Sequence, residues 1–359
     1  MTAGHRTGRP VPSSLLVLTI ALSLLVRVPL AAQDLILARF GDYVESLRAQ
    51  AGIPGLAATI VGTNDILWER AFGLQDTARS IPARTDTPFH VDGLTQMLTS
   101  ALVLRCVEEG RLSLDDRLGQ FSPDSPDAGA TIRQVLSHRS ETAAFDYRPE
   151  RLEPLGRAIR ACTDNSFRET VANLLDRLAM IHSVPGLDII HPELLPDGIP
   201  SPGEVARYTG VLQSLATPYA VDRRGSASPT QSSATTLTPS SGLISTARDL
   251  AQFDLALKKG LLLRPETLAT AWLAPLGANR QPLPHGLGWF VENYKGEAIV
   301  WQFGVNTNAS SSLMVTVPGR GITLILLANS DGLVRPYPLA TGDLTVSPFG
   351  RLFLSLFVR

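Results

Sequence analysis

The residues that could perform nucleophilic chemistry lie far apart in this sequence. A serine followed three residues later by a lysine on one helix face would place a nucleophile beside a base, but the chain contains no Ser-x-x-Lys. Thr95, Ser140 and Ser245 offer hydroxyl groups, and none of them has a base at a recognisable spacing. The sequence therefore contains candidate nucleophiles without a visible means of activating them.

The histidines form no metal-binding pattern. No His-Glu-x-x-His motif and no Cys/His pair at ligand spacing occurs. The histidines after His90 are scattered, at His138, His182, His191 and His285. We therefore predict neither a metal site nor a cofactor.

Six short segments follow one another along the chain in an order that points to a known family. Residues 54–56 read PGL, residues 88–96 read PFHVDGLTQ, and residues 107–116 read VEEGRLSLDD. The series continues with residues 131–140 (TIRQVLSHRS), 241–250 (SGLISTARDL) and 286–289 (GLGW). In order and spacing these segments resemble the serine β-lactamase and penicillin-binding-protein family, which includes class C β-lactamases, D-alanyl-D-alanine carboxypeptidases and esterases.

This resemblance places Gly93 and Gln96 where the family carries its catalytic serine and lysine. In the family, the serine hydroxyl attacks a carbonyl and the lysine, one helical turn later, helps to remove its proton. Glycine has no nucleophile, and the amide of glutamine has no titratable group. The resemblance thus implies a serine hydrolase scaffold with a degenerate active site.

Two further family motifs are altered in this chain. Tyr147 stands at the tyrosine of Tyr-x-Asn, which shuttles a proton in the family, while Pro149 replaces the asparagine that contacts the substrate. Gln302 replaces the basic residue of the strand motif Lys-Thr-Gly or His-x-Gly, and Gly304 is retained. The resemblance implies that Pro149, Gln302 and Gly304 border the ligand. Tyr147 is either catalytic or structural.

These substitutions leave two main functions open. The chain is either a non-catalytic protein that binds a peptidoglycan-like peptide or a small amide or ester in its cleft, or a weak hydrolase with a relocated nucleophile. The second class covers esterase, β-lactamase and D-amino-acid peptidase activity. A third reading, in which the cleft has no role, also stays open.

The N-terminal residues predict export. His5, Arg6 and Arg9 precede an apolar run over residues 15–26, and Leu30, Ala31 and Ala32 follow, with no acidic residue in the segment. This order is typical of a secretory signal, and the run is shorter than the roughly 20 residues that span a bilayer. We predict a signal peptide over residues 1–32, a β-lactamase-related domain over residues 33–359, a periplasmic or secreted location, and no transmembrane span after cleavage. A retained anchor is the alternative.

Composition sets further limits on function. The 359 residues are 44% hydrophobic and 18% charged with a net charge of −1, which is typical of a globular protein. No basic stripe favours a nucleic-acid partner. The two cysteines, Cys106 and Cys162, are predicted to be separate buried thiols, although an oxidising compartment would allow them to pair.

The elements that must position these residues suggest an α+β fold. Helical patterns cover residues 34–51, 94–109, 132–138, 152–162, 167–180, 204–219 and 349–358, and strand patterns cover residues 56–61, 66–71, 298–301, 311–317 and 322–328. We predict a β-lactamase/transpeptidase-like domain whose antiparallel sheet is formed by both ends of the chain, with flanking helices and an inserted helical subdomain. Gly93 should begin a buried helix that faces Tyr147 and Gln302. Residues 222–241 are predicted to form a surface loop or lid.

Overall fold

The computed structural model describes residues 27–139, 144–191 and 201–358, together with Met1, Thr2, Gly4 and Leu195. Most of the predicted signal segment lies outside these residues. Helix α1 (Arg27–Gln50) begins before the predicted helix and runs past the predicted cleavage point at Ala32. Within the described ranges, every helix is too short or too polar to cross a membrane.

An antiparallel sheet forms the centre of the fold, as predicted. The strands are β1 (Gly55–Val61), β2 (Ile66–Asp76), β3 (Ile81–Pro82), β4 (Phe89–His90), β5 (Tyr219–Val221), β6 (Ala227–Pro229), β7 (Ile244–Ser245), β8 (Phe290–Tyr294), β9 (Glu297–Asn306), β10 (Ser310–Val317) and β11 (Ile322–Ala328). In the described part of the chain, seven of them form one sheet in the order β3-β2-β1-β11-β10-β9-β8. Strand β1 pairs with β11, so the two ends of the chain close the sheet.

Helices cover both faces of this sheet. They are α1, α2 (Thr95–Glu108), α3 (Ile132–Leu136), α4 (Leu155–Thr163), α5 (Phe167–Arg177), α6 (Pro202–Leu212), α7 (Ala247–Lys258), α8 (Pro265–Ala271) and α9 (Pro348–Phe357). Successive residues of a strand face opposite sides. In β1, Leu56 and Ile60 join the core under α1 and α9, whereas Ala57 and Val61 join the core under α2 and α7. This double cover explains why β1 and β10 are buried along their whole length.

In the middle of the chain, two short strands, β5 and β6, form where the sequence predicted a helix and a loop. The predicted helix over residues 204–219 is wrong at its C-terminal end: α6 stops at Leu212, and Tyr219 lies in β5. Pro218 cannot continue a helix, and the Tyr219 N–H donates to the Asn329 carbonyl at 2.8 Å. Within the predicted loop at residues 222–241, β6 pairs with β5.

The prediction of two separate thiols is wrong. Cys106 on α2 and Cys162 on α4 form a disulfide, with Cα atoms 6.1 Å apart. Their 56-residue separation in sequence hid this contact, because only the packing of α2 against α4 brings the two cysteines together. The bridge ties the helix that carries Gln96 to the helical subdomain.

Candidate functional site

Gly93 stands where one end of the sheet meets helix α2. It lies in a 3₁₀ turn, Asp92–Leu94, that leads directly into this buried helix. Pairing of β4 with β7 and a 3.1 Å hydrogen bond from the Val91 N–H to the Leu243 carbonyl hold the turn in place. The predicted position of Gly93 at the start of a buried helix is confirmed.

Strand β9 packs so closely on this turn that Gly93 has no room for a side chain. A Cβ atom at Gly93 would lie 2.4 Å from the Phe303 carbonyl oxygen and 3.2 Å from the Gly304 Cα. A Cβ atom at Gly304 would lie 2.4 Å from the Val91 carbonyl oxygen and 2.6 Å from the Gly93 nitrogen. The two glycines therefore permit a backbone contact that a serine at position 93 would force apart.

Gln96 lies at the centre of a buried hydrogen-bond network. Its Nε2 donates to the Tyr147 hydroxyl at 3.0 Å, and its Oε1 is 3.0 Å from Nε2 of His138. The Tyr147 hydroxyl in turn donates to Oε1 of Gln302 at 3.3 Å. Gln96, Tyr147 and Gln302 thus meet in one network beside the start of α2.

Both ends of this Gln96 network close on backbone groups. At one end, the Arg148 N–H donates to Nδ1 of His138 at 3.2 Å. At the other end, Nε2 of Gln302 donates to the Gly288 carbonyl at 3.3 Å and lies 3.5 Å from Nε2 of His285. Every side-chain donor meets an acceptor when His138 carries its proton on Nε2 and His285 carries its proton on Nδ1.

The titratable groups of the Gln96 network are held neutral. Burial lowers the pKa of His285 to about 3. Burial, reinforced by the neighbouring His285, also holds the pKa of His138 well below its ordinary value. Burial raises the pKa of the Tyr147 phenol. Near neutral pH the network therefore contains no charged side chain and no group poised to exchange a proton.

A small cleft of about 200 Å³ opens beside the Gln96 network. It is lined by Asp92, Gly93, Tyr147, Pro149, Ala234, Ser240, Ser241, Phe303 and Val305. Tyr147 and Pro149 thus both line this cleft. The Gln302 side chain is fully buried inside the network, and Gly304 packs against the turn at Gly93.

Sequence reasoning missed two acidic groups: Asp92 in the cleft lining, and Glu153, which is bonded to the cleft residue Ser240. The Ser240 hydroxyl donates to the carboxylate of Glu153. Asp92 is 3% exposed with a positive φ of 48°, accepts from the Ser310 hydroxyl at 2.8 Å, and has no partner for Oδ1 among the described residues. Burial raises the pKa of Asp92 to about 6.

The signals for these missed residues were weak or absent. Ser240 directly precedes the family-like segment of residues 241–250, and Asp92 directly precedes Gly93. His138 lies in the family-like segment of residues 131–140. Nothing in the sequence indicates that Glu153 reaches Ser240, 87 residues away.

Thr95 and Ser245, two of the three hydroxyl groups singled out from the sequence, do not line the cleft. Thr95 donates its hydroxyl to the Asp92 carbonyl at 2.7 Å and is fully buried. Ser245 is also fully buried and shares a 2.8 Å hydrogen bond with Ser183. Ser140 lies outside the described residues. Within the described ranges, no cluster of three or more His, Cys, Asp or Glu side chains could hold a metal ion.

Comparisons with known proteins agree with this architecture. The family model described as Beta-lactamase matches residues 40–342. The esterase EstB of Burkholderia gladioli is 29% identical over 110 residues, covering 29% of this chain and 28% of the esterase. Penicillin-binding protein 4 of Amycolatopsis lactamdurans is 30% identical over 135 residues, covering 35% of each protein. The alignments thus span about a third of the length of these relatives.

The likeness in fold extends over most of the chain. The octameric penicillin-binding protein homologue from Pyrococcus abyssi superimposes with a TM-score of 0.72 at 18% identity, covering 89% of this chain and 77% of the homologue. At this identity the likeness concerns the fold alone.

Proposed function

The chain belongs to the Beta-lactamase family, and from that premise we propose that it is an exported, ligand-binding member whose family catalytic centre performs no chemistry. The observation that carries this proposal is the neutral, fully bonded Gln96 network. It occupies the positions where the family places its base, its proton shuttle and its basic strand residue. An acyl-transfer centre needs a nucleophile and a group that takes its proton, and this network contains neither.

The contact between β9 and Gly93 supports the same conclusion. The Phe303 carbonyl oxygen lies 2.4 Å from the point that a Cβ atom at Gly93 would occupy. Restoring a serine there would require β9 to move as well. The backbone of β9 thus occupies the space that a side chain at position 93 would need.

The disulfide supports export. Disulfides form and persist in oxidising compartments and are rare in the cytosol. The bond between Cys106 and Cys162 therefore agrees with the secretory signal proposed for residues 1–32 and with a periplasmic or secreted location.

The cleft beside the Gln96 network is the proposed binding site. Its volume of about 200 Å³ suits a small amide or ester, or the end of a peptidoglycan-like peptide. The names of the relatives point in the same direction, because they include an esterase and a penicillin-binding protein. We place Pro149 and Tyr147 in contact with this ligand.

A weak hydrolase is the second candidate, and the pair formed by Ser240 and Glu153 favours it. In that reaction Glu153 would take the Ser240 proton while the serine oxygen attacks an ester carbonyl carbon. Glu153 would then return the proton to the departing alcohol, which leaves an acyl-serine. Water, losing a proton to Glu153, would then attack the acyl carbon, and Glu153 would pass that proton to the Ser240 oxygen as the acyl–oxygen bond breaks and the acid leaves.

Covalent labelling separates the two candidates. Wild-type protein, Ser240→Ala and the control Ser241→Ala, which also lies in the cleft, would be incubated with a fluorophosphonate and with a penicillin and analysed by intact-mass spectrometry. The non-catalytic proposal expects no adduct on any of them. An adduct on wild type and on Ser241→Ala that is absent from Ser240→Ala would overturn it in favour of the hydrolase.

The double variant Gly93→Ser with Gln96→Lys provides a positive test of the family register. It is the smallest change that supplies both a nucleophile and a base. We expect acylation by penicillin to appear first in this variant, on the introduced serine and slowly, because β9 must shift. Acylation of the Gly93→Ser single variant to the same extent would contradict the role assigned to position 96.

A further inference from the structure

The described lining of the cleft contains one acidic side chain, Asp92, and no basic side chain. The family holds cations at the positions of Gln96 and Gln302. Here Gln96 donates to Tyr147, and Gln302 donates to the Gly288 carbonyl. The amide groups are thus engaged inside the network. A ligand carboxylate would therefore find no cation at either position.

The two carboxyl groups have different relations to the cleft. Asp92 forms part of its lining, and Oδ1 of this buried side chain has no partner among the described residues. Glu153 is reached through Ser240, whose hydroxyl proton is directed at the carboxylate. The oxygen of Ser240 therefore remains available as an acceptor. All three groups favour a ligand that donates hydrogen bonds.

The arginines of the neighbouring cavity do not cancel this charge. Arg148 is paired with Asp146 at 2.6 Å, and Arg151 with Asp127 at 2.8 Å. Arg157 lines that cavity but is exposed to solvent, and water and salt screen exposed charges. Asp92 is therefore the charged side chain of the described cleft lining, and Glu153 adds its charge from behind Ser240.

We propose that this cleft binds small molecules that carry a protonated amine, with Asp92 and Glu153 as counter-charges, and that it excludes carboxylates. The inference rests on the proposed function, because it assumes that the cleft binds a ligand. A cleft that binds amines has the opposite charge preference to the one that the family's basic residues would impose. The pKa of Asp92, about 6, leaves this carboxyl mostly ionised at pH 7.5.

The rest of the lining suits an apolar body attached to the amine. The rings of Tyr147 and Phe303 lie with their centroids 5.2 Å apart, and Pro149 and Val305 add apolar surface. Aromatic faces also attract cations. A small arylalkylamine fits both the volume and the chemistry of this cleft.

Benzylamine, benzyl alcohol and benzoate form a matched set of probes that differ mainly in charge. Their dissociation constants would be measured by NMR titration at pH 7.5 for wild type, Glu153→Gln and Asp92→Asn. Asparagine tolerates the positive φ of residue 92. Glu150→Gln is the matched control: Glu150 and Glu153 line the same neighbouring cavity, but Glu153 is the one that accepts a hydrogen bond from the cleft residue Ser240.

We expect wild type to bind benzylamine at least about tenfold more tightly than benzoate, since a hydrogen-bonded charge is worth more than a neutral pair. Glu153→Gln and Asp92→Asn should each weaken benzylamine binding several-fold and change benzyl alcohol binding by less than about twofold. Glu150→Gln should change neither. Circular dichroism of each variant verifies that it is folded.

Three outcomes would overturn the inference. Benzoate binding as tightly as benzylamine would refute the charge preference while leaving the binding cleft intact. Equal benzylamine affinity in wild type, Glu153→Gln and Asp92→Asn would remove the two carboxylates from the site. If none of the three probes, and no small ester or amide, perturbs the resonances of cleft residues, the proposed binding function itself fails.

Discussion

The Gln96 network and the adjacent cleft meet opposite physical demands. In the network, Gln96, His138, His285 and Gln302 are fully buried, and their polar groups are paired and neutral. In the cleft, Asp92 combines burial, a positive φ and an unpartnered carboxyl oxygen. Unpaired buried charge costs stability. The unpartnered carboxyl oxygen thus belongs to a residue of the cleft lining and not to the Gln96 network, and under the binding proposal a ligand would meet it there.

The largest expected effect is the loss of stability on removing the disulfide that supports the Gln96 network. The disulfide fixes α2, which carries Gln96, to α4, and it closes a loop of 56 residues. Replacing both cysteines by serine should lower the free energy of unfolding by about 4 kcal/mol, because the unfolded chain gains conformational freedom. Urea denaturation of the variant and of oxidised wild type measures the difference. Wild type under reducing conditions should show a similar loss, and equal stability in all three states would contradict the bridge.

The contact between β9 and Gly93 should give the next largest effect. Gly93→Ala adds one methyl group 2.4 Å from the Phe303 carbonyl oxygen, and overpacking of this kind costs about 3 kcal/mol. Gly210→Ala is the control, because nothing lies within 4 Å of that position on the exposed side of α6. It should stabilise the protein by about 0.5 kcal/mol. Thermal unfolding of the two variants distinguishes close packing from a general intolerance of alanine.

The smallest expected effect is a pH-dependent change in stability, which tests the burial of Asp92 in the cleft lining. Folding raises the pKa of Asp92 from an ordinary 3.8 to about 6, so the folded protein binds more protons than the unfolded chain between these values. The contribution of Asp92 to the free energy of unfolding of wild type therefore falls as the pH rises from 3.8 to about 6. Asp92→Asn should match wild type near pH 4 and exceed its stability by about 2 kcal/mol at pH 7.5. Urea titrations at both pH values measure the difference, and a pH-independent difference would show that Asp92 is not a desolvated carboxyl.

Much of the fold was predictable because its signals are local. The apolar, β-branched runs of β1, β10 and β11 and their flanking turn residues indicate strands directly. Their pairing across the two ends of the chain followed from the order of the patterns, with strands near both ends and helices between them. The predicted helix over residues 204–219 failed because Pro218 and the buried contacts of Tyr219 override a helical pattern that the earlier residues share.

The candidate site was predictable only in part. Gly93, Gln96, Tyr147 and Gln302 were found because each occupies a motif position. The roles of His138 and His285 were missed, since isolated histidines carry no pattern until the fold brings their rings within 4.6 Å. The cysteine pairing was missed for the same reason.

The sequence by itself determined which chemistry is absent from position 93 and from position 96. A glycine has no nucleophile and a glutamine has no titratable proton in any fold, so these statements depend only on covalent structure. The tertiary structure alone decided what replaced that chemistry. The neutral network, the contact of β9 with Gly93, and the hydrogen bond between Ser240 and Glu153 join residues that are distant in sequence. Their distances, burial and pKa values exist only after the chain has packed, because desolvation and hydrogen bonding are properties of the surroundings and not of the residue.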